Sequence, residues 1–279
     1  MSGTAAWVYL DGALVPREEA KVPAGDAGLL YGRGLFETFR ARAGKVYRLE
    51  RHFQRLLAGA AVLGVPVPLT LEGLHTAVRE LCGRCGLEDA RVRLTVTAGP
   101  DGGRPTVLVQ ARPAADYPPS LYERGMRAAM ASVRRNETSP LSRVKSLNCL
   151  DNLLAREEAQ RAGFDEALLL NSRGFLAEGS ARNVFAVRSA ELVTPPVEDG
   201  ALPGVTREAV LEIARAAGIA AREASVTLDD LLSADEAFLT SAMVGVIPLV
   251  SVNGAAVASG RPGKTTLRLR RMYEEAAAG

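Results

Sequence analysis

The spacing of apolar residues changes period several times along this chain, and that alternation points to a fold mixing helices and strands. Leu49, Phe53, Leu56, Leu57, Ala60 and Leu63 recur at helical intervals, and Gly64 and Pro66 end the run. Residues 71–82 repeat the pattern. Between and around these stretches the chain reads as strand. Trp7 to Leu10 and Ala13 to Val15 flank Asp11-Gly12, a hairpin signal. Residues 35–41 are strand-like, Gly44 supplies a turn, and the β-branched runs 91–97 and 106–110 enclose a glycine-rich turn at 99–103.

Residues 111–120 carry three prolines and no periodic pattern, which marks a linker. The expected division is a smaller N-terminal domain, 1–115, and a larger C-terminal domain, 116–279. The second region alternates in the same way. Residues 147–162 predict a helix closed by Gly163, and residues 166–170 and 183–187 predict buried strands around the turn 171–174. Residues 206–217 predict a helix with Thr206 as N-cap and Gly218 as its stop. The class is α/β, of the α+β type, in two domains.

Composition closes off other classes. Lys plus Arg number 34 against 32 Asp plus Glu, so a net charge of +2 gives no electrostatic footprint for nucleic acid or an anionic membrane. No apolar run approaches the ~20 residues of a membrane span. Residues 1–9 lack a secretory pattern, and the expectation is a cytoplasmic protein. Cys82 and Cys85 have C-x-x-C spacing, but no second Cys or His pair completes a zinc set. Together with Cys149 they read as reduced thiols, and no metal is expected.

Four features look unusual for packing alone. Lys145 stands in Ser142-Arg143-Val144-Lys145-Ser146-Leu147-Asn148, just ahead of an expected helix. Glu178-Gly179 follows a strand, and Arg55 lies on the helix 49–63. Leu202-Pro203-Gly204-Val205-Thr206-Arg207 places glycine before a helix start, where backbone N–H groups can meet a phosphate. Each has an ordinary reading: a surface lysine, a turn carboxylate, an exposed arginine, a hydrated helix end.

Their order along the chain resembles one family. Asp11-Gly12, Tyr31-Gly32-Arg33-Gly34-Leu35-Phe36-Glu37-Thr38-Phe39-Arg40, Arg51-His52-Phe53-Gln54-Arg55-Leu56, Lys145 to Asn148, Glu178-Gly179 before Asn183-Val184-Phe185, and residues 202–207 together resemble the pyridoxal-phosphate (PLP) enzymes of aminotransferase class IV. That family includes branched-chain aminotransferases, D-amino-acid aminotransferases and 4-amino-4-deoxychorismate lyases. The resemblance runs from about Val8 to Tyr273.

It implies a two-domain fold with the cofactor between the domains, the C-terminal one being PLP-binding. Lys145 matches the lysine that carries PLP as a Schiff base and shuttles the substrate proton, as catalytic residue. Glu178 matches the carboxylate facing the pyridine nitrogen, and Arg55 the phosphate-binding arginine. Val205 and Thr206 match phosphate donors at a helix start. Thr240, Ser241 and Ala242 match a second phosphate loop, expected to open a helical stretch. Tyr31, Thr38, Arg40, Arg93 and Arg104 match substrate-side positions. Relatives are homodimers, with the Tyr31 region reaching the partner's site.

Which member is meant stays open at this level. D-amino-acid aminotransferases match Lys145-Ser146-Leu147-Asn148, but carry an arginine where this chain has Ala98. Branched-chain enzymes match Phe36-Glu37 and Arg40, yet a tyrosine is missing at Arg91 and another is replaced by Cys149. The lyases match Thr38 and, through Gly102-Gly103-Arg104, a loop. The expectation is amino-group transfer between a branched-chain-type or D-amino acid and a 2-oxo acid. The alternative is a lyase releasing pyruvate and 4-aminobenzoate.

Overall fold

The computed structural model describes residues 6–114 and 117–278. The 115/116 boundary and residues 1–5 therefore lie outside the described residues. By its internal contacts the chain divides into two compact units, residues 1–116 with 144–148, and residues 117–143 with 149–279.

The first unit contains β1 (Trp7–Leu10), β2 (Ala13–Pro16), α1 (Ala27–Tyr31), β3 (Gly34–Arg42) and β4 (Lys45–Val46). It continues with α2 (Leu49–Leu63), α3 (Leu71–Arg84), β5 (Asp89–Thr97) and β6 (Val107–Pro113). The strands form an antiparallel sheet in the order β2-β1-β6-β5-β3-β4. β3 pairs with β5 from Gly34↔Thr97 to Arg42↔Asp89, and alternation then sorts the side chains. Leu35, Phe39 and Ala41 join Val92 and Leu94 in the core under α2 and α3. Phe36, Thr38 and Arg40 turn to the opposite face, beside their partners Thr95, Arg93 and Arg91.

α2 buries Leu49, Phe53, Leu56 and Ala60 in that core. Each buried Leu or Phe contributes about 1.5–3 kcal/mol, so burial rather than intrinsic propensity seats the helix. Gly59 permits a close approach: a Cβ there would lie 2.6 Å from Leu35 Cδ2 and 3.0 Å from Val144 Cγ1.

The contact with Val144 belongs to a departure from the sequence reading. The expected helix 147–162 begins only at Leu150, and residues 144–148 run extended along β3. β4 covers only Ala41 and Arg42 of β3. The N-terminal part of that edge therefore needs partners for its backbone groups. Phe36 N–H donates to Lys145 O and Leu147 N–H to Gly34 O, both at 2.9 Å. Residues 144–148 thus belong to the first unit, whereas the sequence boundary places them in the second domain.

The second unit holds α4 (Pro119–Arg124), β7 (Met126–Met130), α5 (Leu150–Arg161), β8 (Glu166–Leu170), β9 (Leu176–Gly179), β10 (Asn183–Arg188) and β11 (Glu191–Thr194). Then come α6 (Val205–Ala216), β12 (Ala221–Glu223), α7 (Leu228–Leu232), β13 (Glu236–Ser241), β14 (Gly245–Val252), β15 (Ala255–Ala256) and α8 (Lys264–Ala278). The sheet order is β12-β11-β10-β13-β14-β7-β8-β9, with β15 added to β14. Leu168, Leu176, Val184, Leu239, Ile247 and Leu249 centre its core. Lys264 is the first residue of α8. No helix among the described residues is long and apolar enough to cross a membrane.

Candidate functional site

In the first unit, Lys145 enters the side of the sheet away from the core. Its Nζ lies 4.5 Å from the Phe36 ring centroid, and Arg93 Cζ lies 3.8 Å from the same centroid. Phe36 thus carries two cations on its π-system. Thr38 stands opposite Arg93 in register, and its buried Oγ1 has no hydrogen-bond partner among the described residues. Arg40, two residues on, is tied to Asp89 through Nε at 2.7 Å. That pairing holds the Asp89 carboxyl below its ordinary range. The face can therefore offer an amine, a fixed guanidinium and an unused hydroxyl to one polar ligand.

On the core side of β3, Glu37 sits in an otherwise apolar row and is compensated from α2. Arg55 Nε donates to its Oε1 at 2.8 Å and Nη2 to its Oε2 at 2.6 Å, while His52 Nδ1 lies 2.8 Å from Oε2. Burial pushes the Glu37 carboxyl up, but the Arg55 charge and the His52 and Arg55 hydrogen bonds outweigh it and hold it at about 2. Burial pushes the His52 imidazole down. Glu37 opposes this, while the Arg55 and Lys145 charges act with it.

A pH dependence follows. Glu37 ionises more readily folded than unfolded, so it contributes on the order of 3 kcal/mol, fully present above the unfolded value. That contribution is lost as pH falls from 4.5 towards about 2. Burial holds the His52 imidazole below its ordinary 6.5, so the unfolded chain takes up that proton first and stability falls as pH drops below 6.5. Urea midpoints should fall between pH 7 and pH 3, and Glu37→Gln should flatten the part below pH 4.5. A variant midpoint falling as steeply as wild type there contradicts this account.

Tyr31, the last residue of α1, and Arg104, in the loop between β5 and β6, belong to segments knitted together by one fully buried carboxylate. Asp26 caps α1 by accepting from Gly28 N–H at 2.7 Å, and its Oδ2 accepts from Thr97 and Thr106 hydroxyls at 2.7 and 2.8 Å. Ala27 N–H adds a bond to Gly99 O at 2.9 Å. Burial alone pushes the Asp26 carboxyl up, but these donors hold it below its usual range. The side chains themselves point outward: Tyr31 is 75% exposed, and Arg104 is exposed.

In the second unit, Glu178 sits buried on β9. Its Oε2 accepts from Leu202 N–H at 2.9 Å, and Arg135 Nη2 lies 3.3 Å from Oε1. Nearby α6 starts at Val205, with Gly204 rather than Thr206 as N-cap and no side-chain cap bond. Thr206 falls inside the helix because Asn183, whose Nδ2 donates to Leu202 O at 2.8 Å, packs where a Cβ at residue 204 would stand. Only glycine fits that position. Thr206 Oγ1 is 3.4 Å from Tyr273 OH.

Thr240 pairs with Asn183 across the sheet, and its buried Oγ1 has no partner among the described residues. Residues 240–242 do not open a helix as expected. Ser241 ends β13, and Ala242 lies in the turn to β14, closed by Val244 N–H to Ser241 Oγ at 3.4 Å. Strand pairing from Ala237↔Leu249 to Ser241↔Gly245 fixes that hairpin. The uncapped start of α6 and the orphaned Thr240 hydroxyl make a polar cradle suited to a multiply charged oxyanion such as a phosphate group.

Sequence reasoning missed Glu37, His52, Asp26 and Arg135 as organising residues. A signal existed for the first two. A carboxylate in the buried row of an alternating strand needs partners, and His52 and Arg55 lie three apart on the facing helix. Arg135 has no local signal. Among the described residues no group of three or more His, Cys, Asp or Glu side chains could hold a metal. Cys82 is buried, which pushes its thiol up to about 11 and makes it a poor nucleophile.

Comparison with known proteins covers almost the whole chain. The pattern of the family described as amino-transferase class IV matches residues 34–252. A putative branched-chain-amino-acid aminotransferase of Methanocaldococcus jannaschii is 39% identical over 96% of this chain and 95% of its own. A D-alanine aminotransferase of Listeria monocytogenes is 31% identical over 96% and 95%. The crystal structure of a T.th. branched-chain amino acid aminotransferase with pyridoxamine 5'-phosphate superposes with a TM-score of 0.91 at 30% identity, over 98% of this chain and 95% of that one. These matches place the chain in aminotransferase class IV, as a PLP-dependent aminotransferase.

Proposed function

We propose that this enzyme moves an amino group between a branched-chain-type amino acid and a 2-oxo acid, with PLP covalently carried by Lys145. The observation that carries the reading is the placement of Lys145 Nζ over Phe36, beside Arg93 and the unpartnered Thr38 hydroxyl. The names of the Methanocaldococcus relative and of the pyridoxamine-phosphate structure favour the branched-chain class. The Listeria relative keeps D-amino acids as the second reading. A lyase is not favoured, since these relatives are named as aminotransferases.

When bound, PLP supplies an electron sink for negative charge at the substrate Cα. The chain's own residues do the rest. Lys145 Nζ would anchor the cofactor and, once displaced by the substrate amine, carry the proton from the substrate Cα to the cofactor's C4′. Glu178 faces the ring nitrogen and holds its proton. Val205 and Thr206 N–H groups, the Thr206 and Thr240 hydroxyls, and the Ser241–Ala242 turn hold the phosphate. Arg55 adds a guanidinium to that phosphate while remaining tied to Glu37. Arg93 and Thr38 take the substrate carboxylate, Arg40 adds positive potential from its Asp89 anchor, and Tyr31 contributes from the end of α1 and Arg104 from the loop between β5 and β6. Exposed Leu150, Leu153 and Leu154 on α5, and Leu29, Leu30 and Tyr31 on α1, support a homodimer.

Arg55→Ala should weaken PLP retention by roughly ten- to a hundredfold, the loss of a charge-assisted bond to phosphate. Dialysed variant that keeps PLP as well as wild type removes Arg55 from the phosphate site. The reaction class is tested by half-reactions with L- and D-amino acids and aminodeoxychorismate. Conversion of the PLP spectrum to the pyridoxamine form by branched-chain L-amino acids is expected. Release of pyruvate and 4-aminobenzoate without that conversion overturns the proposal.

A further inference from the structure

The geometry points to Arg135 as a positioning residue for the cofactor's ring nitrogen, acting through Glu178; this rests on the role proposed for Glu178 and deepens it. Arg135 lies between β7 and α5, outside every motif that suggested the family. Its Nη2 is 3.3 Å from Glu178 Oε1, and both side chains are largely buried. Three further acceptors fix the guanidinium. Nε donates to Gly200 O at 3.2 Å, Nη1 to Asn152 Oδ1 at 3.0 Å and Nη2 to Ser142 O at 2.8 Å. The chain at Gly200 packs on the arginine stem, since a Cβ there would come within 3.0 Å of Arg135 Cγ.

Those three acceptors are neutral and could be served by any donor; Glu178 is the partner that calls for a cation. A carboxylate this buried carries an uncompensated desolvation cost unless a counter-charge faces it. Arg135 supplies that charge on Oε1, and Leu202 N–H bonds Oε2. A carboxylate has about four lone-pair sites. An ion pair on one oxygen and a hydrogen bond on the other orient the carboxylate and leave a lone-pair site for a ring N–H. Arg135 thus sets the direction in which Glu178 accepts.

A purely structural tie would weaken binding of any cofactor ring alike. A positioning residue instead discriminates a ring bearing N–H from one that lacks it. The experiment titrates apoenzyme with PLP and with its 1-deaza analogue, in which a ring C–H replaces the nitrogen. Wild type, Arg135→Met, Arg135→Lys and Glu178→Gln are compared by the ratio of the two dissociation constants. Both ligands are measured on one preparation, so a general loss of folded protein cancels from the ratio. Wild type should prefer PLP. Arg135→Met should cut that preference about ten- to a hundredfold, towards the Glu178→Gln value, with Arg135→Lys in between. If Arg135→Met keeps the wild-type ratio while Glu178→Gln loses it, the inference is overturned and the role of Glu178 stands. If Glu178→Gln matches wild type, the Glu178 reading itself fails and this inference falls with it.

Discussion

Lys145→Ala should reduce turnover by roughly 10⁴-fold or more while leaving the fold intact, because one amine serves as both covalent anchor and proton carrier. The fold should survive because residue 145 contributes its backbone, not its side chain, to the pairing with β3: Phe36 N–H donates to Lys145 O. Truncation removes the amine over the Phe36 ring, a contact worth on the order of 0.5–1 kcal/mol. Far-ultraviolet circular dichroism should be unchanged and the cofactor's absorption band altered. Small primary amines added to the variant should restore part of the proton transfer but no covalent anchoring. Turnover within tenfold of wild type would remove Lys145 from the chemistry.

Glu178→Gln should leave cofactor bound and slow the steps at the substrate Cα by about ten- to a hundredfold, the loss of one charge-assisted bond. The amide oxygen can still accept from Leu202 N–H, so the local backbone should hold. The amide cannot act as a counter-charge, either for a protonated ring nitrogen or for Arg135. Single-turnover rates at saturating amino acid are the readout. Rates equal to wild type would show that this carboxylate does not face the ring.

Much of this was legible in the sequence, for identifiable reasons. The hairpin at Asp11-Gly12, the helix Leu49–Leu63 and the alternating β3 and β5 are set by local pattern, and they stand where that pattern puts them. Lys145, Glu178, Val205 and Thr206 were singled out by their order along the chain and the family resemblance that order carries. The misreadings came where tertiary structure overrides local preference. Residues 147–149 carry a helical pattern, but the uncovered edge of β3 draws residues 144–148 into extended pairing. Thr206 is a good N-cap residue, yet the close packing of Asn183 puts glycine at that position. The turn at Ala242 resembles a helix start locally, and only the pairing of β13 with β14 makes it a hairpin. Arg135 was invisible because its partner lies 43 positions away in sequence, the difference between residues 178 and 135.

The chain has four lysines, and three of them, Lys21, Lys45 and Lys264, are exposed, while Lys145 is half-buried over Phe36. Borohydride reduction of the holoenzyme, followed by peptide mapping, tests the central claim most directly. The account predicts one reduced cofactor adduct per chain, on the peptide containing Lys145. An adduct on Lys21, Lys45 or Lys264, or no lysine adduct at all, would contradict it.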